Sequence, residues 1–170
     1  MIDFTTVNYL KEGNERQKRA YEVLVKHKIF EKLSNYSPLL AGTIPIEIDI
    51  EGSDLDIICE VKDSAEFEKF LIQTFGKFDI KIKKSDTDNE EFLVCNFELE
   101  EFPVEIFGQN KPVIEQNAYR HMIAEYKILE KKGKDFKQKI IELKKKGIKT
   151  EPAFGILLGL ENPYEDLLKF

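Results

Sequence analysis

Asp54 and Asp56 are separated by a single residue and follow the short segment Gly42-Thr43, with Asp54 eleven positions after Thr43. On an extended backbone, side chains two apart share a face, so one strand would present both carboxylates together. Two acids held in that way repel each other unless a proton or a cation compensates them. The chemistry this suggests is phosphoryl transfer assisted by a divalent metal, which requires a third oxygen ligand. Val104-Glu105-Ile106 offers one, as an acid between apolar residues of another strand-like segment. Taken alone, Glu105 reads as a solvent-facing residue at a strand edge; beside Asp54 and Asp56 it becomes a ligand candidate. Three carboxylates completed by water and substrate phosphates suit octahedral magnesium. Two such ions can bridge a nucleoside triphosphate and an acceptor hydroxyl.

Elements able to hold these residues are visible in the pattern. Residues 39–41 read as a short buried strand ending at Gly42. Residues 44–50 alternate isoleucines with Glu47 and Asp49, the signature of a half-exposed strand. Residues 54–61 turn apolar on both faces beyond Asp56, as a strand does on entering a sheet interior. Further strands are expected over 78–83, 92–99 and 102–108, with 85–90 a polar turn. Pro103 implies an edge or strand-start position. Helices are expected over 12–33, with a start delayed to about residue 15 as the alternative, and over 63–75, 114–131, 136–146, 152–160 and 163–170. The order predicts a mixed sheet covered by helices. One domain is expected over 1–170, with the sheet core in 1–110 and a helical extension in 111–170.

Composition sets outer bounds. A chain of 170 residues, 42% hydrophobic and 34% charged, is that of a globular protein rather than a disordered one. No apolar run of membrane-spanning length occurs, and the start lacks a secretory pattern, so a cytoplasmic protein without membrane partners is expected. Cys59 and Cys95 read as buried free thiols. Net charge is −6, but the stretch from Glu47 to Glu60 holds six acids and no base, while 127–149 holds ten lysines against three acids. The acidic stretch suits a metal site; the lysines read as the solvated side of ordinary helices.

Several residues carry two readings. Glu47 and Asp49 could approach a metal, or simply face solvent. Ser53 could touch phosphate or serve only its turn. Arg120 could neutralise a triphosphate through its planar fork or make an internal ion pair. Asn117, His121 and Glu125 lie one helical turn apart and could orient an imidazole near substrate or merely stabilise the helix. Lys111 could reach a phosphate. His27 reads as structural, and Gly155 with Gly159 as a close helix-packing surface.

The strings Leu40-Ala41-Gly42-Thr43-Ile44-Pro45, Gly52-Ser53-Asp54-Leu55-Asp56-Ile57-Ile58-Cys59-Glu60, 102–109 and Gln116-Asn117-Ala118-Tyr119-Arg120-His121-Met122 together resemble the DUF4269 domain family over nearly the whole chain. Gly42-Thr43 with the paired acids also resembles the Gly-Ser and double-acid signature of the DNA polymerase beta-like nucleotidyltransferase superfamily. Two departures are visible: Thr43 stands where Ser is usual, and Glu105 where Asp is more frequent. The resemblance implies an α+β minimal nucleotidyltransferase fold, a central mixed β-sheet covered by helices with a helical C-terminal region. It also implies Asp54, Asp56 and Glu105 as catalytic and metal-binding residues, and Gly42, Thr43, Ser53 and Arg120 as nucleotide-binding residues. Two Mg2+ ions with bound nucleoside triphosphate would then transfer a nucleoside monophosphate to a small-molecule or protein acceptor. A long nucleic acid is disfavoured by the chain's small size, and a homodimer is compatible with the Gly155–Gly159 surface. The alternatives are a noncatalytic nucleotide- or protein-binding module and a metal-dependent phosphodiesterase. Neither GxxxxGK[ST] nor GxGxxG is present.

Overall fold

A computed structural model describes residues 2–87 and 90–170. Five strands form one mixed sheet in the order β1-β2-β5-β4-β3: β1 (Leu39–Ala41), β2 (Leu55–Glu60), β3 (Lys81–Thr87), β4 (Glu90–Leu99) and β5 (Phe102–Gln109). β2 and β5 run parallel, and the remaining neighbours are antiparallel. Helices α1 (Glu15–Lys26), α2 (Ile29–Lys32) and α3 (Ser64–Phe75) precede β3, and α4 (Asn117–Lys132), α5 (Lys134–Lys145), α6 (Thr150–Leu158) and α7 (Pro163–Asp166) follow β5.

Side-chain alternation divides the interior into two layers. Leu55, Ile57 and Cys59 of β2 and Phe102, Val104 and Ile106 of β5 pack with residues of α1 and α3, including Leu24, Phe67 and Phe75. Ile58 of β2 faces the other way, into a second apolar cluster with Met122, Ile140 and Phe154 of α4, α5 and α6. Asp56 and Glu105 share the parity of Ile58 and Phe107, so the strand period turns both acids toward the C-terminal helices. Both cysteines are buried and free, and burial pushes the Cys59 thiol up to about 12.

Segment 44–50 is not the strand that its alternating isoleucines predict. Ile44, Ile46 and Ile48 are all buried, but the backbone folds back on itself, with Glu47 N–H donating to the Ile44 carbonyl and Ile48 N–H to the Thr43 carbonyl at 3.1 Å. Glu47 takes φ +58, and Pro45 has no N–H for a ladder. Side chains from the helices also donate to three of its carbonyls. Gln17 Nε2 donates to Ile44 and Pro45 at 3.0 and 3.2 Å, and Lys144 Nζ to Ile48 at 2.7 Å. Gln17 also completes a capping box with Asn14, so the delayed helix start holds and α1 is fixed against this loop.

Other boundaries shift for local reasons. The helix expected over 12–33 breaks at Lys28, whose φ of +54 is left-handed. Residues 76–78 form a 3-10 turn, and β3 starts later and extends through the first part of the expected polar turn; Asp88 and Asn89 of that turn lie outside the described residues. Pro103 is at a strand start, paired only with Glu98 of β4, but β5 is an interior strand rather than an edge. Gly155 is a packing residue as expected, since a Cβ there would meet the Pro163 ring at 2.9 Å, but Gly159 is not: nothing lies within 4 Å of a Cβ there, and it caps α6 at φ +70. No helix among the described residues is long and apolar enough to cross a membrane.

Candidate active site

Asp56 and Glu105 stand directly opposite each other in the parallel β2–β5 register, and Ala41 pairs with Asp56 from the other side. The chain then leaves β1 at Gly42, whose φ of +82 favours glycine. A Cβ at Gly42 would lie 2.1 Å from Asp56 Oδ2. The glycine is therefore required twice, for its backbone conformation and for the space the carboxylate occupies. Asn96 of β4, paired with Glu105, donates its Nδ2 to Glu105 Oε2 at 3.3 Å.

Burial is the main force on Asp56, and repulsion from Asp54 and then Glu105 adds to it, pushing the carboxyl up to about 8; the Lys144 ammonium opposes the rise. Asp54 and Glu105 thus both bear on Asp56. Among the described residues, no three His, Cys, Asp or Glu side chains gather closely enough to cage a metal ion by themselves.

Between the sheet and α4 and α6 lies a cleft of about 370 Å³, bordered by Gly42, Thr43, Asp56 and Glu105 on the sheet side and by Gln116, His121, Glu125 and Glu151 on the helical side. A shallower hollow of about 410 Å³ is lined by Ser53, Asp54 and Lys144, and it shares Thr43, Asp56 and Glu151 with the cleft. Asp56 stands at the junction, with Asp54 on one side and Glu105 on the other.

The remaining expected residues divide. Thr43 borders both spaces. Ser53 accepts the Ile50 N–H through Oγ at 2.9 Å, which is turn chemistry, although it still lines the hollow. Arg120 is not brought to the acids: it lines a separate depression with Ile123, Leu168 and Phe170. The reason is helical phase. On α4 the residues His121, Met122 and Glu125 share the face turned to the sheet, and Arg120 falls beside it. Glu47 and Asp49 are spent on ion pairs with Lys137 and, at 3.2 Å, Arg16. His121 Nε2 donates to the Tyr164 carbonyl at 2.8 Å, leaving Nδ1 3.6 Å from Glu151.

Three residues escaped the sequence reading. Lys144 was counted among solvated lysines but is 7% exposed; burial lowers its ammonium, and Glu125, Asp49, Glu151 and Asp56 hold it up. Its spacing of four from the buried Ile140 was the available signal. Gln116, 1% exposed, donates Nε2 to the Cys59 and Lys111 carbonyls at 3.0 and 2.9 Å and ties α4 to β2. Glu151, in the first turn of α6, had no local signal.

The family model for a domain of unknown function, DUF4269, matches residues 22–170, and the chain belongs to that family. No curated protein matches. Among solved structures, the polymerase core of TRAMP, an RNA surveillance complex, is similar at TM-score 0.55 and 8% identity, covering 95% of this chain and 50% of that one. Cid1 poly(U) polymerase bound to Mg and 3'-dATP is similar at TM-score 0.53 and 10% identity, covering 81% of this chain and 45% of that one. A cytoplasmic RNA terminal U-transferase is similar at TM-score 0.50 and 12% identity, covering 81% and 43%. At these identities the likeness establishes the nucleotidyltransferase-type fold. The chain spans half or less of the length of these three proteins.

Proposed function

We propose that this member of the DUF4269 family transfers a nucleoside monophosphate from a nucleoside triphosphate to a hydroxyl of a small-molecule or protein acceptor, with magnesium. The observation that carries the reading is Asp56 set in register against Glu105, with its carboxylate packed on Gly42. The donor set fits magnesium, which is commonly held by one or two carboxylates together with waters and substrate phosphates rather than by a closed protein cage. Buried carboxylates that repel one another are also a site whose charge a cation relieves.

Asp54, Asp56 and Glu105 would hold the metal. Magnesium bound there would neutralise phosphate charge and make the acceptor hydroxyl more acidic. Glu105 would receive the acceptor proton as its oxygen forms a bond to the α-phosphorus. The bond from that phosphorus to the β-phosphate's bridging oxygen then breaks, and pyrophosphate leaves. Gly42 and Thr43 would seat the β- and γ-phosphates. The α4 N-terminus supports an anion at the same cleft: Gln116 makes no side-chain cap there, and Asn117 and Ala118 border the space.

A noncatalytic nucleotide-binding module is the second reading, favoured by the lack of a closed three-carboxylate cage among the described residues. Calorimetry with a nonhydrolysable triphosphate, with and without magnesium, tests the shared premise, and pyrophosphate release across a panel of hydroxylated acceptors separates the two. Transfer requires both signals, lost together in Asp56→Asn. Binding without release supports the module, and no magnesium-dependent binding sinks both.

A further inference from the structure

Glu125 is the least expected group in the cleft. It is 4% exposed, yet among the described residues it has neither a hydrogen bond nor an ion pair within 4 Å. A buried carboxylate in that condition is costly unless something completes it. Burial pushes its carboxyl well above the usual carboxylate range, and repulsion from Glu151, at the same end of the cleft, adds to the rise, so a cation there would restore the ionised form.

The polar groups nearby do not supply the missing donor. Lys144 Nζ gives one donor to the Ile48 carbonyl at 2.7 Å, and its charge favours Glu125 and Glu151 without a hydrogen bond or ion pair to either among the described residues. His121 must donate through Nε2, because the Tyr164 carbonyl can only accept, and its Nδ1 is turned to Glu151. A second vacancy of the same kind occurs farther along the wall. Both Gln116 donor contacts are to carbonyls, which fixes the amide's orientation and leaves its buried Oε1 without a partner. Two acceptors on the helical wall, the Glu125 carboxyl and the neutral Gln116 amide oxygen, are thus open to a donor.

We infer that the helical wall of the cleft is an acceptor subsite for a small hydroxylated primary amine, with Glu125 and Glu151 receiving its ammonium and its hydroxyl directed toward Glu105. The identification of the hydroxyl as the reacting group rests on the proposed transfer; the ammonium site does not. An ammonium carries three donors and a full positive charge, which meets both carboxylates. An anionic or phosphorylated acceptor would be repelled at this end, and a neutral exocyclic amine of a nucleobase would leave the charge uncompensated. A cleft of about 370 Å³ admits an amino alcohol or a single amino sugar.

The test uses the full chain with glucosamine as probe and glucose as its neutral counterpart, followed by NMR titration without nucleotide. Saturable glucosamine binding is expected, with glucose at least about tenfold weaker. Glu125→Gln and Glu151→Gln should each weaken glucosamine about tenfold or more, the scale of a charged hydrogen bond. Glu151, whose side chain is 24% exposed, keeps the test valid if the deeper variant misfolds. Equal binding of the two sugars, or wild-type affinity in the folded variants, overturns the inference. So does a change in nucleotide preference in Glu125→Gln with amine binding unaltered. Transfer to both sugars alike overturns the subsite and leaves the transfer reading standing; amine binding with no nucleotidyl transfer to any acceptor does the reverse.

Discussion

Replacing Gly42 by alanine tests the central contact of the site. Two costs follow from the structure. The φ of +82 is a conformation that an L-residue enters at about 1–2 kcal/mol. The new Cβ would also stand 2.1 Å from Asp56 Oδ2, well inside any real contact, so the carboxylate must leave its rotamer at about 0.5–1.5 kcal/mol. A loss of about 1.5–3.5 kcal/mol is therefore expected in urea unfolding. Gly159→Ala is the control: its φ is +70, but nothing lies within 4 Å of the added carbon, so only the backbone cost of about 1 kcal/mol applies. On the proposed reading the two variants separate further in function, because displacing a catalytic group by about 1 Å costs roughly a hundredfold. Magnesium-dependent nucleotide affinity and pyrophosphate release should fall in Gly42→Ala and hold in Gly159→Ala. Combining Gly42→Ala with Asp56→Ala should recover the steric part of the lost stability. Equal destabilisation in the two glycine variants, with no recovery in the double variant, would refute the reasoning.

Three further outcomes are expected. Asp56 is pushed up to about 8 from 3.8, mainly by burial. Between those pH values the folded chain binds a proton that the unfolded chain has released, so stability falls as pH rises from about 4 to about 8 and levels off above. Asp56→Asn should flatten that slope in urea midpoints measured across the range, and an unchanged slope contradicts the assignment. Lys144→Met removes a buried charged donor from the Ile48 carbonyl and the charge facing Asp56, and should cost about 1.5–3 kcal/mol by the same unfolding assay; a neutral result places the ammonium in solvent. Gly155→Ala should cost about 1–3 kcal/mol through overpacking on Pro163 while leaving nucleotide binding at the cleft unchanged, a pairing checked by melting and calorimetry together.

The acids that define the site were legible because strand period is a strong local rule. Apolar neighbours were enough to suggest the face on which Asp56 and Glu105 lie, but Asp54, expected on the same strand, stands one residue before β2 and borders the adjoining hollow rather than the cleft. The register that sets Asp56 against Glu105 was not legible, since β2 and β5 are separated by α3 and the β3–β4 pair. Segment 44–50 misled for the opposite reason: its alternation is real and its isoleucines are buried, but Pro45 and the carbonyl contacts of Gln17 and Lys144 hold it as a folded loop. Arg120 illustrates a further limit. Residue type suited it to phosphate, and only helical phase, fixed by packing of His121, Met122 and Glu125 against the sheet, turns it away.

The charge arrangement bears on how such a site would work. Asp56 has burial and two acidic neighbours against it and one buried ammonium in its favour. Lys144 is shared among Glu125, Asp49, Glu151 and Asp56 while its hydrogen bond goes to a backbone carbonyl, so it offsets the acids without neutralising any one of them. Acids therefore outnumber cations on both sides of the cleft, Asp56 and Glu105 on the strands and Glu125 and Glu151 on the helices, and burial holds Asp56 and Glu125 toward their protonated forms until a cation arrives. A bare triphosphate would meet the acids with only the α4 N-terminus in its favour, whereas one entering with divalent cations brings the charge the strand wall lacks. The helical wall would still lack a cation after that event, and this is the physical reason for an acceptor that carries its own positive charge. On this view the coupling is open to direct test: a nucleotide complex that keeps net phosphate charge should strengthen amine binding, one whose cations offset the phosphates fully should leave it unchanged, and strengthening confined to low magnesium would locate the uncompensated phosphate charge.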